Sequence, residues 1–138
     1  MTKYLTNNFS IVNLHNKPSA KSEIVTQMIY GDSLSILKKS KKWIKIKIKE
    51  DNYKGYVLNK KFSYFLKPTH KVSILKAKIY KLPNKKKKIG ELTFGSKIKV
   101  SYKKTKFLKF DNGWVSKKDV KPLSFSAKNP FKEIGIFN

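Results

Sequence analysis

Side chains that can perform catalytic chemistry are scarce in this sequence. It contains no cysteine, so it offers no thiol nucleophile, no disulfide and no thiolate ligand for zinc. The two histidines, His15 and His70, lie far apart and have neither triad partners nor metal-ligand spacing around them. We therefore predict no catalytic residue, no metal site and no cofactor in this chain.

Asp32 and a few aromatic residues are better candidates for binding. Only eight residues are acidic, and Asp32 is one of them, directly after a glycine. A carboxylate at that position can also serve simply to fix a turn. Trp43 and Tyr56 are compatible with an aromatic shelf in a ligand groove, but packing into a small core is the commoner use of such residues.

The charge of the chain comes from lysine alone. The net charge is +25, with 33 lysines and no arginine. A charge of this size favours a polyanionic partner such as nucleic acid. Arginine, however, makes the commonest specific contact with guanine, and its absence argues against base recognition. We favour a bias toward AT-rich codons, with lysine at solvated positions, and expect any nucleic-acid binding to be non-specific and salt-dependent.

The stretch KKWIKIKIKEDNYKGYV at residues 41–57 predicts how the aromatic residues are held. Isoleucine and lysine alternate from Ile44 to Lys49, so the isoleucines should share the buried face of a strand and the lysines its wet face. Trp43 falls on the lysine side of that alternation. Asp-Asn in the same stretch is typical of a turn before a returning strand.

Landmarks in the first half of the chain recur in the second half. The pairs are Pro18 with Pro83, Gly31 with Gly95, Trp43 with Phe107, and Gly55 with Gly113. The second and third pairs are both separated by 64 positions and the last by 58, so one connection is six residues shorter in the second copy. Because turns separate short alternating runs, we predict an all-β fold of two small barrels in tandem, at residues 1–66 and 67–123.

The order of these residues resembles the bacterial SH3-like domain. The segment Gln27–Asp32, followed by Trp43 and Gly-Tyr-Val at Gly55, is similar to the variant found in NlpC-type cell-wall cysteine endopeptidases of the dipeptidyl-peptidase VI kind. PTHKVSILKAKIY from Pro68 matches the Thr-His-x-Val string that opens the family's second such domain. The resemblance covers residues 10–123 and implies two SH3-like barrels ahead of a peptidase domain.

The resemblance also implies a role in positioning substrate. In the family, the acidic residue after this glycine and a tyrosine near the later glycine help to bind the free amine of a peptidoglycan stem peptide. Asp32 and either Tyr53 or Tyr56 match those positions, and Trp43 is the candidate aromatic wall. The implied partners are stem peptides or muropeptides and a catalytic cysteine-peptidase domain, either in cis or as a split partner. The parent enzyme would hydrolyse a γ-D-glutamyl–diamino-acid bond.

Residues 124–138 are expected to begin a helix that leads into the peptidase domain, and the chain is expected to end before the catalytic cysteine. On this basis the chain alone is not a peptidase. The N-terminus lacks the apolar core of a signal peptide, and no apolar run is long enough to span a membrane. We therefore expect a cytoplasmic protein by default, and the cell envelope is the alternative location. A basic β-barrel that binds nucleic acid is the alternative function.

Overall fold

The computed structural model describes residues 3–123, which form two compact units with their boundary between Leu66 and Lys67. The expected all-β fold is confirmed, since the only helical segment among these residues is a 3-10 helix at Lys117–Asp119. The helix expected in residues 124–138 lies outside the described part of the chain. Within residues 3–123, no helix has the length and apolar character that crossing a lipid bilayer requires.

The first unit is one antiparallel sheet that closes on a single core. Its strands are β1 (Leu5–Thr6), β2 (Ile11–His15), β3 (Ile24–Ile29), β4 (Ser33–Lys39), β5 (Trp43–Ile48), β6 (Lys54–Leu58) and β7 (Ser63–Tyr64). They are ordered β3-β2-β6-β5-β4-β1-β7. Strand β1 pairs with both β4 and β7, so the first and last strands of the unit are neighbours.

The core of the first unit follows from the alternation in the sequence. The side chains of Ile44, Ile46 and Ile48 are 1%, 0% and 3% exposed, while the lysines between them reach solvent. They pack with the apolar side chains of the other strands, namely Val12, Leu14, Met28, Leu34, Val57 and Phe62. The predicted half-buried strand is therefore confirmed.

The second unit repeats this design with one strand divided. Its strands are β8 (His70–Val72), β9 (Lys76–Tyr80), β10 (Lys88–Thr93), β11 (Lys97–Ile98), β12 (Tyr102–Lys104), β13 (Phe107–Phe110), β14 (Gly113–Ser116) and β15 (Val120–Pro122). They form two sheets, ordered β10-β9-β14-β13-β12 and β11-β8-β15. The strand order matches that of the first unit if β11 and β12 together replace β4.

The division has a local cause. In the first unit, the pairing of β4 with β5 shifts between Ile36 and Lys38, which marks a β-bulge at Leu37. At the corresponding place in the second unit, residues 99–101 belong to no strand, although the Ser101 N–H still donates to the Lys109 carbonyl oxygen on β13 at 2.9 Å. A bulge bends a strand sharply and interrupts its pairing. The tandem repeat predicted from spaced landmarks is thus present in the topology of both units.

Gly55 and Gly113 occupy equivalent places of close backbone approach. A Cβ atom on Gly55 would lie 2.8 Å from the Cβ of Leu14, on the neighbouring strand β2. A Cβ atom on Gly113 would lie 2.6 Å from the carbonyl oxygen of Tyr80, on β9. The glycine of the Gly-aromatic-Val motif is therefore needed because two strands meet there without room for a side chain.

Candidate functional site

Asp32 lies in the turn that joins β3 to β4. Gly31 adopts a φ of +90°, which glycine tolerates and most other residues do not. One carboxylate oxygen of Asp32 accepts the backbone N–H of Ile29 at 2.9 Å, and the Asp32 N–H donates to the Ile29 carbonyl oxygen at 3.2 Å. The half-buried carboxylate thus fixes the turn, which is the structural role that sequence analysis considered for Asp32 beside peptide binding.

A residue that sequence analysis overlooked, Asn7, fixes the same turn from the other side. Its side-chain amide is fully buried and donates to the carbonyl oxygens of Phe9 and Ile29, both at 2.9 Å, while its Oδ1 accepts the Phe9 N–H at 3.1 Å. Its backbone accepts the Gly31 N–H and donates to the Asp32 carbonyl oxygen, both at 2.8 Å. Asn7 therefore determines where the Asp32 carboxylate stands.

The turn from β5 to β6 lies at the same end of the barrel. The Glu50 carboxylate accepts the Ser33 N–H at 3.2 Å, next to Asp32, and the Asp51 carboxylate accepts the Tyr53 N–H at 3.0 Å. The Tyr53 side chain is 47% exposed. We call Asp32, Glu50, Asp51 and Tyr53 the acidic end of the first barrel. It gathers three of the eight acidic residues of a chain whose net charge is +25.

Trp43 and Tyr56 lie elsewhere, on the outer face of strands β2, β6 and β5. Tyr56 is directly opposite His15 on one side and Lys45 on the other. The rings of His15 and Trp43 meet edge to face with their centroids 5.5 Å apart, and the Lys45 ammonium lies 5.7 Å from the Tyr56 ring centroid. We call His15, Trp43, Lys45 and Tyr56 the aromatic face.

Trp43 is on the lysine side of β5, as predicted, yet it is only 8% exposed because its neighbours on the aromatic face cover it. Ile48, whose N–H donates to the Tyr53 carbonyl oxygen, is five positions from Trp43 along β5, a distance of about 16 Å at about 3.3 Å per residue. The structure therefore groups Asp32 with Tyr53 and does not bring Trp43 to them. Tyr56 belongs with Trp43.

A comparison with the second barrel shows which features of the first barrel belong to the shared fold and which are found in the first barrel alone. It repeats the aromatic contacts: the Tyr80 and Phe107 rings meet edge to face at 6.0 Å, and Trp114 lies opposite Tyr80. It repeats the acidic end only in part: Asp111 lies in the turn from β13 to β14, but the residue after Gly95 is Ser96, whose buried hydroxyl has no hydrogen-bond partner among the described residues. The aromatic face thus belongs to the barrel design, and the acidic end is the feature that distinguishes the first barrel.

Shifted pKa values lie away from the acidic end. Burial lowers the pKa of His70, which is on β8 of the second barrel. A hydrogen bond from Lys88, at 2.7 Å, lowers the pKa of the Glu91 carboxyl. Among residues 3–123, no three histidine or acidic side chains come together in a way that could hold a metal ion.

These barrels define the class of protein: small antiparallel β-barrels of the SH3-like type. Residues 14–62, which include strands β3 to β6 of the first barrel, match the family model of the bacterial dipeptidyl-peptidase SH3 domain. Over these residues the first barrel is similar to that SH3 domain, as the resemblance of Gln27–Asp32 indicated. No curated protein has a significant sequence match to the chain.

Solved structures extend the similarity to both barrels. An NlpC/P60 family protein from Bacillus cereus is 16% identical and aligns over 86% of this chain and 55% of its own, with a TM-score of 0.68. NlpC2 and NlpC1 from Trichomonas vaginalis are 11% and 10% identical, each aligning over 87% of this chain and 47% and 45% of their own, with TM-scores of 0.37. The Bacillus structure shows a shared fold, and this chain spans about half of its length.

Proposed function

We propose that this chain is the substrate-positioning region of a cell-wall cysteine endopeptidase and that it binds peptidoglycan stem peptides or muropeptides. The observation that carries the proposal is the match of the first barrel to the SH3 domain of bacterial dipeptidyl-peptidases. The acidic end supports it, because it is a local concentration of carboxylates on a chain that is otherwise strongly basic.

The acidic end suits the free N-terminal amine of a peptide. An ionised carboxylate has two oxygens and about four lone-pair positions, so Asp32 can accept the Ile29 N–H and still receive an ammonium. Tyr53 stands at the same end and offers a phenol and a ring face to a cation. We assign the tyrosine role to Tyr53 because Tyr56 is on the aromatic face, under Lys45.

Hydrolysis is assigned to a separate domain. The chain has no cysteine, so the thiol nucleophile of a cysteine peptidase must come from a catalytic domain in cis or from a partner. The Bacillus cereus protein, of which this chain spans 55%, has room for such a domain. On the family resemblance, the bond cleaved by the complete enzyme is the γ-D-glutamyl–diamino-acid bond.

The test is to titrate the chain calorimetrically with a stem peptide that has a free N-terminal amine, and with the same peptide N-acetylated. Asp32→Asn keeps an acceptor for the Ile29 N–H but removes the charge. Loss of one charge-assisted hydrogen bond costs about 1.5–3 kcal/mol, so affinity for the free-amine peptide should fall about ten- to a hundredfold. The acetylated peptide should bind weakly to both forms.

Asp111→Asn is the matched control, since it removes one negative charge from an exposed turn of the second barrel. It should leave affinity for the free-amine peptide unchanged. Equal losses in Asp32→Asn and Asp111→Asn, or no binding of the free-amine peptide by the unaltered chain, would contradict the proposal.

A further inference from the structure

A second feature of the first barrel is a notch at the place where strand β1 leaves strand β4. The two strands pair only at Leu5 with Leu34 and at Thr6 with Ser33, whereas β4 continues to Lys39. The space that opens between them has a volume of about 500 Å³. We call it the β1–β4 notch, and it is lined by residues 3–5, residues 35–37 and Lys47.

Ser35 contributes a buried hydroxyl that the barrel itself does not use. This residue is 6% exposed and lines the notch, and its side chain makes no hydrogen bond to another residue in the described range 3–123. A buried hydroxyl without a hydrogen-bond partner costs free energy. A polar ligand atom in the notch would remove that cost, so Ser35 points to a ligand rather than to a packing role.

The edge of β4 beside the notch is unpaired. The Lys49 N–H donates to the Ser33 carbonyl oxygen at 2.9 Å, so the backbone groups of Ser33 face β5. Because these groups alternate in direction along an antiparallel strand, those of Ile36 face away from β5. Among the described residues, no strand pairs with β4 on that side beyond Leu34. The Ile36 backbone can therefore bind an extended peptide by addition to the sheet edge.

The open edge is short. The β-bulge at Leu37 bends β4 directly after Ile36, and a bulge interrupts further pairing along an edge. On the opposite side, the notch is limited by residues 3–5, which lead into β1. The notch therefore suits the end of a peptide better than the middle of a long strand.

The charges around the notch are positive. Lys47 is directly opposite Ser35 on β5, and Lys3 stands on the β1 side. Neither lysine forms an ion pair with a carboxylate within residues 3–123. A third ammonium, that of Lys49, lies 4.9 Å from the ring centroid of Tyr4, which forms part of the lining. Ammonium and hydroxyl groups both donate to carboxylate oxygens, so the notch complements a peptide carboxylate in charge and in hydrogen bonding.

The notch lies about one tripeptide away from the acidic end. Ser35 is three positions after Asp32, which corresponds to about 10 Å at about 3.3 Å per residue. An extended tripeptide spans about the same distance. The acidic end attracts a cation and the notch attracts an anion. A short peptide with a free amine and a free carboxylate therefore matches both ends of this stretch in sign and in spacing.

We propose that the β1–β4 notch binds the C-terminal carboxylate of the peptide whose amine is bound at the acidic end. The assignment rests on the proposed function and adds to it the length and the second charged end of the ligand, a stem tripeptide with both ends free. The Ser35 hydroxyl and the Lys47 ammonium bind the carboxylate, and the Ile36 backbone binds the last peptide group.

The experiment is a calorimetric titration of the full chain with this tripeptide and with the same tripeptide amidated at its C-terminus. Lys47→Gln should lower affinity for the free tripeptide about tenfold and leave affinity for the amide unchanged. Lys109→Gln is the matched control, because it removes one lysine charge from β13, the strand equivalent to β5 in the second barrel. It should change affinity for either peptide less than about threefold.

Ser35→Ala tests the hydroxyl separately. The melting temperature should not fall, because the Ser35 side chain has no partner to lose among residues 3–123, whereas affinity for the free tripeptide should fall about tenfold. Hydrogen exchange of the Ile36 amide should slow on adding the tripeptide. Equal affinities for the tripeptide and its amide, or equal losses in Lys47→Gln and Lys109→Gln, would overturn the proposal. Self-association of the chain that Lys47→Gln abolishes would assign the notch to a second copy and would also overturn it.

The two proposals fail separately. Asp32→Asn should weaken binding of the tripeptide and of its amide by the same factor, since both keep the amine. Weak binding of the N-acetylated tripeptide should weaken further in Lys47→Gln and should not change in Asp32→Asn. An effect of Lys47→Gln without one of Asp32→Asn would remove the amine contact and keep the notch. The reverse result would remove the notch and keep the amine contact.

Discussion

His15 and Trp43 meet edge to face with ring centroids 5.5 Å apart, and Tyr80 and Phe107 make the same contact at 6.0 Å in the second barrel. In the first barrel the contact joins the end of β2 to the start of β5. In the second barrel it joins the end of β9 to the start of β13, which are the equivalent strands. Trp43 and Phe107 therefore pack at equivalent positions of the two barrels, and a residue found at this position in one barrel should be accepted in the other.

Trp43 should tolerate phenylalanine better than alanine, since the second barrel has Phe107 at this position. Trp43→Ala removes a nearly buried ring and should lower the free energy of unfolding by about 3–5 kcal/mol, whereas Trp43→Phe should cost about 1–2 kcal/mol. Urea denaturation of both variants measures the difference. If stem-peptide affinity in folded Trp43→Phe fell as much as in Asp32→Asn, Trp43 would be a binding residue after all.

Gly55 should not accept a side chain. The added Cβ of Gly55→Ala would meet the Leu14 Cβ at 2.8 Å, and overpacking of this kind costs about 1–3 kcal/mol of unfolding free energy. The control is Gly90→Ala, whose Cβ would lie 3.5 Å from the nearest atom, on Ile79, and which should leave stability nearly unchanged. Thermal denaturation compares the two, and similar losses would refute the close-approach argument.

Asn7 should be the most sensitive polar residue of the first barrel. Asn7→Ala leaves the Ile29 and Phe9 carbonyl oxygens without their amide donor and should reduce the unfolding free energy by about 2–4 kcal/mol. Because Asn7 also holds the Asp32 turn, stem-peptide affinity should fall even under conditions in which the variant is folded. Asn16→Ala, in an exposed loop, is the control and should change neither quantity.

The fold was predictable because its signals are local. Alternation over Ile44–Ile48 predicts the buried face of β5, and the repeated glycines and aromatics predict the tandem barrels. The grouping within the site was not predictable, because it depends on how β5 and β6 are paired. That register sets Tyr56 opposite Lys45 and leaves Tyr53 in the turn. The sequence alone left these two tyrosines equivalent.

Asn7 escaped prediction for a related reason. Its contact with Phe9 is a local turn that the sequence Asn-Asn-Phe permits. Its contact with Ile29 crosses 22 residues of sequence and exists only in the folded barrel.

The pairing of β1 with β7 has a consequence for how the first barrel is completed. Leu5 lies opposite Tyr64, so the two ends of the unit are adjacent in the same ladder. Closing a contact of such long range costs chain entropy, and a fragment that ends before Ser63 leaves one edge of β1 exposed. The same adjacency makes this barrel suited to circular permutation: Leu5 and Tyr64 can be joined by a short linker, and new termini can be opened in the exposed loop at residues 16–21.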